Sequence, residues 1–352
     1  MPDFARPAIP PFELPCRPER ADEFIAAPSP AAIRTLRSHT GPILVLGAGG
    51  KLGLHVAYML SRAARAQGLA DPVLAVSRFR TLRTREEFER LGLATLGCDL
   101  EDDAALRALP DAATVFFLAG VKFGTASNPD LLRRMNVEMP RRVAERFRRS
   151  RIVVFSSGAV YPFAPVGSQG ATEATQREPV GEYAASCAQR EKAFEEASRR
   201  HGTKAVLIRL NYAVEFRYGV LVDIAQRVMR GEPIDVTMGR LNLIWQGDAI
   251  SHAIQALELA AAPAVPLNVT GPRSYAVREL AERFGGLFGA APRLNGREAD
   301  TAVLSDASKA IGLFGEPKVS LEQMIAWTAA WLREVGQTWR KPTGFEVRDG
   351  AY

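Results

Sequence analysis

Cysteine and histidine are scarce in this chain. The three cysteines (Cys16, Cys98, Cys187) are odd in number and far apart, so neither a disulfide framework nor a thiolate metal site is indicated. The four histidines (His39, His55, His201, His252) have no ligand spacing, and no metal is expected. Long apolar runs are missing as well. No stretch is long enough to span a bilayer, and no N-terminal segment joins positive charge to an apolar run as a secretory signal does. A reducing, cytoplasmic location without membrane contact is the resulting expectation. Nor is there a large excess of one charge: +6 over 352 residues, with 47% apolar and 24% charged residues, is the balance of an ordinary globular protein.

Much of the basic excess lies between Arg133 and Arg151, where arginines are interleaved with Leu132, Met135, Met139, Val143 and Phe147. Steps of three and four put those apolar residues on one helix face and the arginines on the solvated one. With no aromatic interleaving and no known module, a nucleic-acid partner is not expected.

Residues 1–40 are rich in proline and read as an irregular arm with a short helix near Ala31–Arg37. From Pro42 apolar runs alternate with amphipathic stretches, the pattern of βαβ units and a parallel sheet. Strands are predicted at Ile43–Leu46, Val73–Val76, Ala94–Leu96, Val115–Leu118, Ile152–Phe155, Ala205–Ile208 and Leu267–Val269. The longest helices are predicted near Leu52–Gln67, Pro129–Arg149 and Gly181–Arg200. After about Leu210 the alternation weakens, and helices near Asp248–Leu259, Val277–Leu287 and Leu321–Val335 suggest a smaller C-terminal region.

The first strand runs into Gly47-Ala48-Gly49-Gly50-Lys51-Leu52-Gly53, and a helix follows. Glycine serves three needs there: a tight turn, close backbone approach to a pyrophosphate, and close helix–strand contact. The helix N-terminus then offers amides and partial positive charge to phosphates. The loop Gly47, Gly49, Gly50, Lys51, Leu52 and Gly53 is therefore a candidate dinucleotide site. At the end of the second strand, where NAD binders place an acid, stand Ser77 and Arg78. A serine can hydrogen-bond a 2′-phosphate and an arginine can pair with it, so NADP(H) is expected in preference to NAD(H).

Further segments follow in order: Cys98-Asp99-Leu100 after the third strand, Leu118-Ala119-Gly120 ending the fourth, Ser156-Ser157-Gly158-Ala159-Val160-Tyr161 ending the fifth, and Tyr183-Ala184-Ala185-Ser186-Cys187 opening the next long helix. With the glycine loop they resemble the extended short-chain dehydrogenase/reductase family, which includes nucleotide-sugar epimerases and dehydratases, over about residues 42–335. The resemblance implies an α/β fold: a Rossmann doubly wound parallel sheet with helices on both faces and a smaller C-terminal substrate-binding lobe. Residues 41–210 would form the dinucleotide-binding domain and 211–352 mainly the lobe, with some segments returning to the sheet. It also implies that Asp99, Leu100, Leu118, Ala119 and Gly120 lie against the cofactor, that Tyr183 exchanges a proton with substrate, and that Ser157 orients the substrate oxygen. Tyr161, Asn211 and, from an apolar element of the lobe, Trp245 are candidate substrate contacts. Asn136 matches a helix asparagine often found in the family, and a homodimer is expected by resemblance.

One position departs from the family. Its lysine, four residues after the tyrosine, is Cys187 here. Positions i and i+4 share a helix face, so a lysine there can lower the tyrosine pKa; a thiol has neither the charge nor the reach. Lys192 points to the other side of the helix, and Arg190 sits about 10 Å further along its axis. The expected function is an NAD(P)-dependent oxidoreductase, epimerase or dehydratase acting on a sugar-like or nucleotide-sugar alcohol or carbonyl. The alternative is a non-catalytic dinucleotide-binding sensor or assembly protein.

Overall fold

Apolar runs without alternation become strands buried on both faces. The structure, a computed structural model, describes residues 13–37, 39–70, 72–80, 82–122 and 128–350. Strands β1 (Ile43–Leu46), β2 (Val73–Ser77), β3 (Ala94–Gly97), β4 (Thr114–Phe117), β5 (Arg151–Ser157), β7 (Ala205–Leu210) and β12 (Val265–Val269) form one sheet in the order β12-β7-β5-β4-β1-β2-β3, with every pairing parallel. Four small pairs complete the strands: β6 (Ala164–Pro165) with β15 (Thr301–Ala302), β8 (Ala213–Val214) with β11 (Ile244–Trp245), β9 (Pro233–Asp235) with β14 (Arg293–Asn295), and β10 (Arg240–Asn242) with β13 (Ser274–Ala276).

The helices are α1 (Ala21–Ile25), α2 (Pro30–Thr35), α3 (Gly53–Ala66), α4 (Arg85–Arg90), α5 (Asp103–Ala108), α6 (Pro129–Arg133), α7 (Met139–Arg146), α8 (Glu182–His201), α9 (Val220–Arg230), α10 (Gln246–Gln255), α11 (Val277–Phe288), α12 (Ser308–Phe314) and α13 (Leu321–Glu334). Ile43 and Val45 of β1 pack with residues of α2, α3 and α10, while Leu44 and Leu46 pack with α5, α7 and α8. The sheet is thus wound on both faces, as the sequence implied. A separate apolar cluster joins α9, α11 and α13 through Ile224, Phe284 and Trp331.

The helix predicted over 129–149 is interrupted. Between α6 and α7 the backbone makes a π turn, Arg134–Glu138. Pro140 has no N–H to donate back along the helix and its ring crowds the carbonyl four residues earlier, which widens the turn before it. The arginines of this stretch are paired with acids: Arg134 with Glu101 (3.1 Å), Arg142 with Asp103 (3.0 Å) and Arg146 with Asp111 (2.8 Å). Among the described residues, no helix is long and apolar enough to cross a membrane, and no group of three or more metal-type side chains occurs.

The N-terminal segment is held by a buried charge cluster. Asp22 of α1 accepts from His55 Nε2 (2.8 Å), Arg83 Nη2 (3.0 Å) and Arg217 Nη2 (2.7 Å). His55 Nδ1 accepts from Gln246 Nε2 (2.6 Å), which assigns the neutral ring with its proton on Nε2. Arg217 also pairs with Glu215, and Trp339 donates to Glu215 (2.8 Å) while lying under Arg83 and Arg217. The cluster therefore ties together the N-terminal segment, α3, the lobe and the C-terminal segment. Burial opposes the charge on Asp22, but His55, Arg217 and Arg83 outweigh it and hold the carboxyl well below the usual range. Burial likewise holds His55 below its usual value, against the pull of Asp22.

Both shifts have the same sign for stability. A depressed folded-state pKa means that the unfolded chain takes up the proton first, so stability is full near neutral pH and falls as pH drops, first below about 6.5 for His55 and then below about 4 for Asp22. The expected result is a melting temperature that declines from pH 7 toward pH 4, with a shallower slope between 7 and 5 in His55→Gln. Asp22→Ala leaves buried guanidinium groups short of a partner and should cost about 3 kcal/mol in denaturant unfolding at pH 7.

Candidate active site

The sheet order reverses at β1, whose neighbours are β2 on one side and β4 on the other. Parallel sheets open a crevice at the carboxyl ends of such strands, and the glycine loop lies in it. Gly47 has φ +86°, and a Cβ there would sit 2.5 Å from the Ala119 nitrogen. A Cβ on Gly53 would lie 2.2 Å from the Ala48 carbonyl oxygen. Side chains are excluded at both points by backbone. The fourteen-residue helix α3 starts here without a side-chain cap, which leaves its first-turn amides to a ligand.

Two adjoining cavities share this loop. One, of about 410 Å³, is walled by Gly47, Gly50, Lys51, Leu52, Ser77, Arg78, Asp99, Leu100, Leu118, Ala119 and Gly120, and also by Lys341. The other, of about 290 Å³, adds Gly53, Ser157, Tyr183 and Asn211 together with Tyr218 and Thr343, and Lys122 lines both. A long groove across the glycine loop with apolar walls and a few polar groups is the shape a dinucleotide needs. A larger groove of about 680 Å³ lies at the amino ends of β4 and β5, away from the crevice. Three of its arginines, Arg142, Arg146 and Arg148, are paired with Asp103, Asp111 and Glu145.

Tyr183 stands in the first turn of α8, and Cys187, one turn on, is buried. Burial raises the thiol pKa, while Arg190, a hydrogen bond with Tyr183 and Lys122 pull it the other way. Ser157 ends β5, where its Oγ accepts from the Ala159 amide (3.1 Å), leaving its proton to donate elsewhere. Asn136, in the π turn and fully buried, accepts from the Val121 amide (2.9 Å) and donates to the Val121 carbonyl (2.8 Å) and to Ser186 Oγ (2.9 Å). Its Oδ1 also receives Arg190 Nη2 (2.8 Å). The next residue, Lys122, donates from Nζ to the Thr343 carbonyl (2.9 Å), and that Nζ lies 5.6 Å from the centroid of the Tyr183 ring. Lys122, Thr343, Tyr218 and Lys341 were not singled out from sequence. For Lys122 a signal existed, since it lies two residues after Leu118-Ala119-Gly120 at the switch of strand order.

Two of the expected substrate contacts lie in the core rather than at the cavity. Tyr161 is buried; its Oη donates to Asn268 Oδ1 (2.8 Å) and accepts from Arg209 Nη1 (2.7 Å). Trp245 is 4% exposed and sits in an aromatic cluster with Phe216, Trp327 and Phe24, ring centroids 5.0, 5.3 and 6.3 Å away. An apolar Leu-Ile-Trp run packs inward when a complementary aromatic surface covers it.

Comparison with known proteins agrees with this geometry. Residues 43–241 match the description "NAD dependent epimerase/dehydratase family", and the chain belongs to that family. No curated protein matches the sequence. Among solved structures, a dTDP-glucose 4,6-dehydratase from Streptomyces venezuelae with NAD bound is similar at TM-score 0.72 and 20% identity, covering 83% of this chain and 97% of that one. A UDP-glucose 4-epimerase from Thermus thermophilus in complex with NAD gives 0.69 and 23%, with 84% and 99% covered. A UDP-glucuronic acid 4-epimerase from Bacillus cereus with a fluorinated substrate analogue and NAD gives 0.70 and 16%, with 83% and 99% covered.

The expected preference for NADP(H) is corrected by these findings. The family is described as NAD dependent, and each of these three similar structures holds NAD. The physical reason lies in the register of β2 and β3, which sets Ser77 opposite Gly97 and so brings the chain after β2 beside Asp99. Arg78 Nη1 lies 3.6 Å from Asp99 Oδ2, so its charge faces an acid that a 2′-phosphate would meet as well. Ser77 Oγ faces the glycine loop, 2.6 Å from where a Gly49 Cβ would be, and accepts from the Phe79 amide (3.4 Å).

Trp245→Ala should therefore act as a core deletion. A loss of about 3–5 kcal/mol in denaturant unfolding is expected, with dinucleotide affinity in calorimetry unchanged at temperatures where the variant is folded. A selective loss of ligand binding at unchanged stability would return Trp245 to the binding surface.

Proposed function

We propose, from the chain's membership of the NAD dependent epimerase/dehydratase family, that it is an NAD-dependent enzyme transferring hydride at a sugar hydroxyl or carbonyl, with nucleotide sugars as the substrate class. The observation that carries this reading is that Tyr183 and Ser157 line the same cavity as the glycine loop. Gly47, Gly50 and the uncapped start of α3 would hold the diphosphate, and Asp99, with Ser77 and Arg78, would face the adenosine end. Bound there, NAD supplies a hydride acceptor and, once reduced, a hydride donor.

Tyr183 Oη then takes the hydroxyl proton of the substrate while the carbon bearing that hydroxyl gives up its hydride, leaving a carbonyl. In the reverse direction Tyr183 returns the proton. Ser157 Oγ–H donates to the same oxygen and stabilises the charge that develops on it. Asn211, its Nδ2 fixed by Asn242 (2.9 Å), stands across the cavity where a sugar would lie, and residues 211–352 supply the substrate-binding lobe. Re-reduction of the carbonyl on its other face would give an epimerase, and loss of a neighbouring hydroxyl as water would give a dehydratase. Cys187 favours one other reading, a binding protein whose site has lost its chemistry.

Calorimetry and a panel of UDP- and dTDP-hexoses separate these readings. NAD should bind at least about tenfold more tightly than NADP, one factor of ten being 1.4 kcal/mol. Tyr183→Phe should lower turnover about 10²–10⁴-fold with NAD affinity unchanged. Unaltered turnover in that variant would remove Tyr183 from the mechanism, and NAD binding with no turnover of any sugar would favour the binding protein.

A further inference from the structure

Position 187, where the resembled family carries lysine, offers Tyr183 a thiol, and positive charge comes to the tyrosine ring from Lys122 in the loop after β4. Both ends of Lys122 are fixed. Its backbone follows Val121, whose amide and carbonyl are both held by Asn136, and its Nζ is anchored on the Thr343 carbonyl. So placed, Nζ lies 5.6 Å from the centre of the Tyr183 ring, and Lys122 and Cys187 feel each other's charge.

We propose that Lys122 is the positioning residue that supplies the positive charge stabilising the Tyr183 phenolate, replacing a lysine one turn along α8 by one delivered from the end of β4. The proposal rests on Tyr183 being the proton carrier. A cation near an ionisable group in a partly dry site favours its anion, so Lys122 over the ring lowers the tyrosine from its usual value of about 10. The other charged or titratable groups around this corner are Cys187 and Arg190 of α8, Lys51 of the glycine loop, Asp223 of α9 and Glu346 of the C-terminal segment. Arg190 is turned onto Asn136 and the Phe155 carbonyl. Lys51 lies over the Tyr218 ring (3.5 Å), and burial with the nearby Lys122 and Lys341 pushes it down to about 7, so it carries only part of a charge near neutral pH. Burial lowers Lys122 less, to about 8, and it stays largely protonated there. Lys122 is thus the cation best placed to act on Tyr183.

Ultraviolet difference titration of the NAD-free protein tests this without any turnover. Subtracting the curve of Tyr183→Phe from that of the wild type isolates the tyrosinate step of Tyr183, expected well below the usual tyrosine value of about 10. Lys122→Met should move the step to pH 10 or above, cutting the phenolate fraction at pH 8 by about tenfold or more, and Lys122→Arg should keep it low. A step that does not move in Lys122→Met overturns the proposal. If that variant does not fold, a wild-type step at or above pH 10 overturns it alone. The titration also separates the two claims: a low step governed by Lys122 in a protein whose turnover ignores Tyr183→Phe would sink the proton-carrier reading and leave the charge pairing intact.

Discussion

The backbone of Gly47 passes so close to Ala119 that not even a methyl group fits between them. That approach brings the loops after β1 and β4 into contact where the strand order reverses, and the rest of the cleft follows from it. A side chain at residue 47 would need to relieve both the positive φ and the clash, which would spread the two strands and open the walls shared by both cavities. Because the contact is backbone against backbone, no rotamer change can absorb such an error. The cleft is fixed before any functional side chain is considered.

Side chains gain their positions from this frame through a small number of buried polar anchors. Asn136 is the most economical: four groups on two segments, the loop after β4 and α8, meet at one buried amide. A buried amide with every partner supplied orders its surroundings, since displacing any one of them leaves an unsatisfied group. The π turn makes this possible. By widening the helix at residues 134–138 it presents Asn136 toward both the loop after β4 and the start of α8, the two segments that carry Lys122 and Tyr183.

The sheet and the glycine loop were legible in the sequence because their signals are local. Runs such as Val115-Phe116-Phe117 and Ile152-Val153-Val154 admit few readings other than strands buried on both faces. The C-terminal wall was not legible, because contacts between residues such as Lys122 and Thr343 depend on how distant segments pack rather than on periodicity. Arg78 misled for a related reason. Its position after β2 is plain in the sequence, but the acid beside it comes from the neighbouring strand, and only the β2–β3 register brings them together. Trp245 shows the limit of composition: an apolar residue in a lobe can line a pocket or fill a core, and the rings of Phe216 and Trp327 decide for the core. The proline-rich N-terminal segment concealed Asp22, whose three partners lie in parts of the chain that no pattern connects to it.

Two lysines facing one narrow cleft are held there at an energetic cost. Burial and mutual repulsion act on Lys51, and burial on Lys122, so both give up protons more readily than a solvated lysine. The cost falls when an anion enters, because negative charge restores the preference of each amine for its proton. An anionic ligand would therefore bind together with proton uptake near neutral pH, and its affinity would fall as pH rises through the range in which these amines are neutral in the free protein. Elsewhere the buried arginines Arg83, Arg209 and Arg217 are matched to carboxylates, whereas Lys51 and Lys122 face the cavity where a diphosphate would lie.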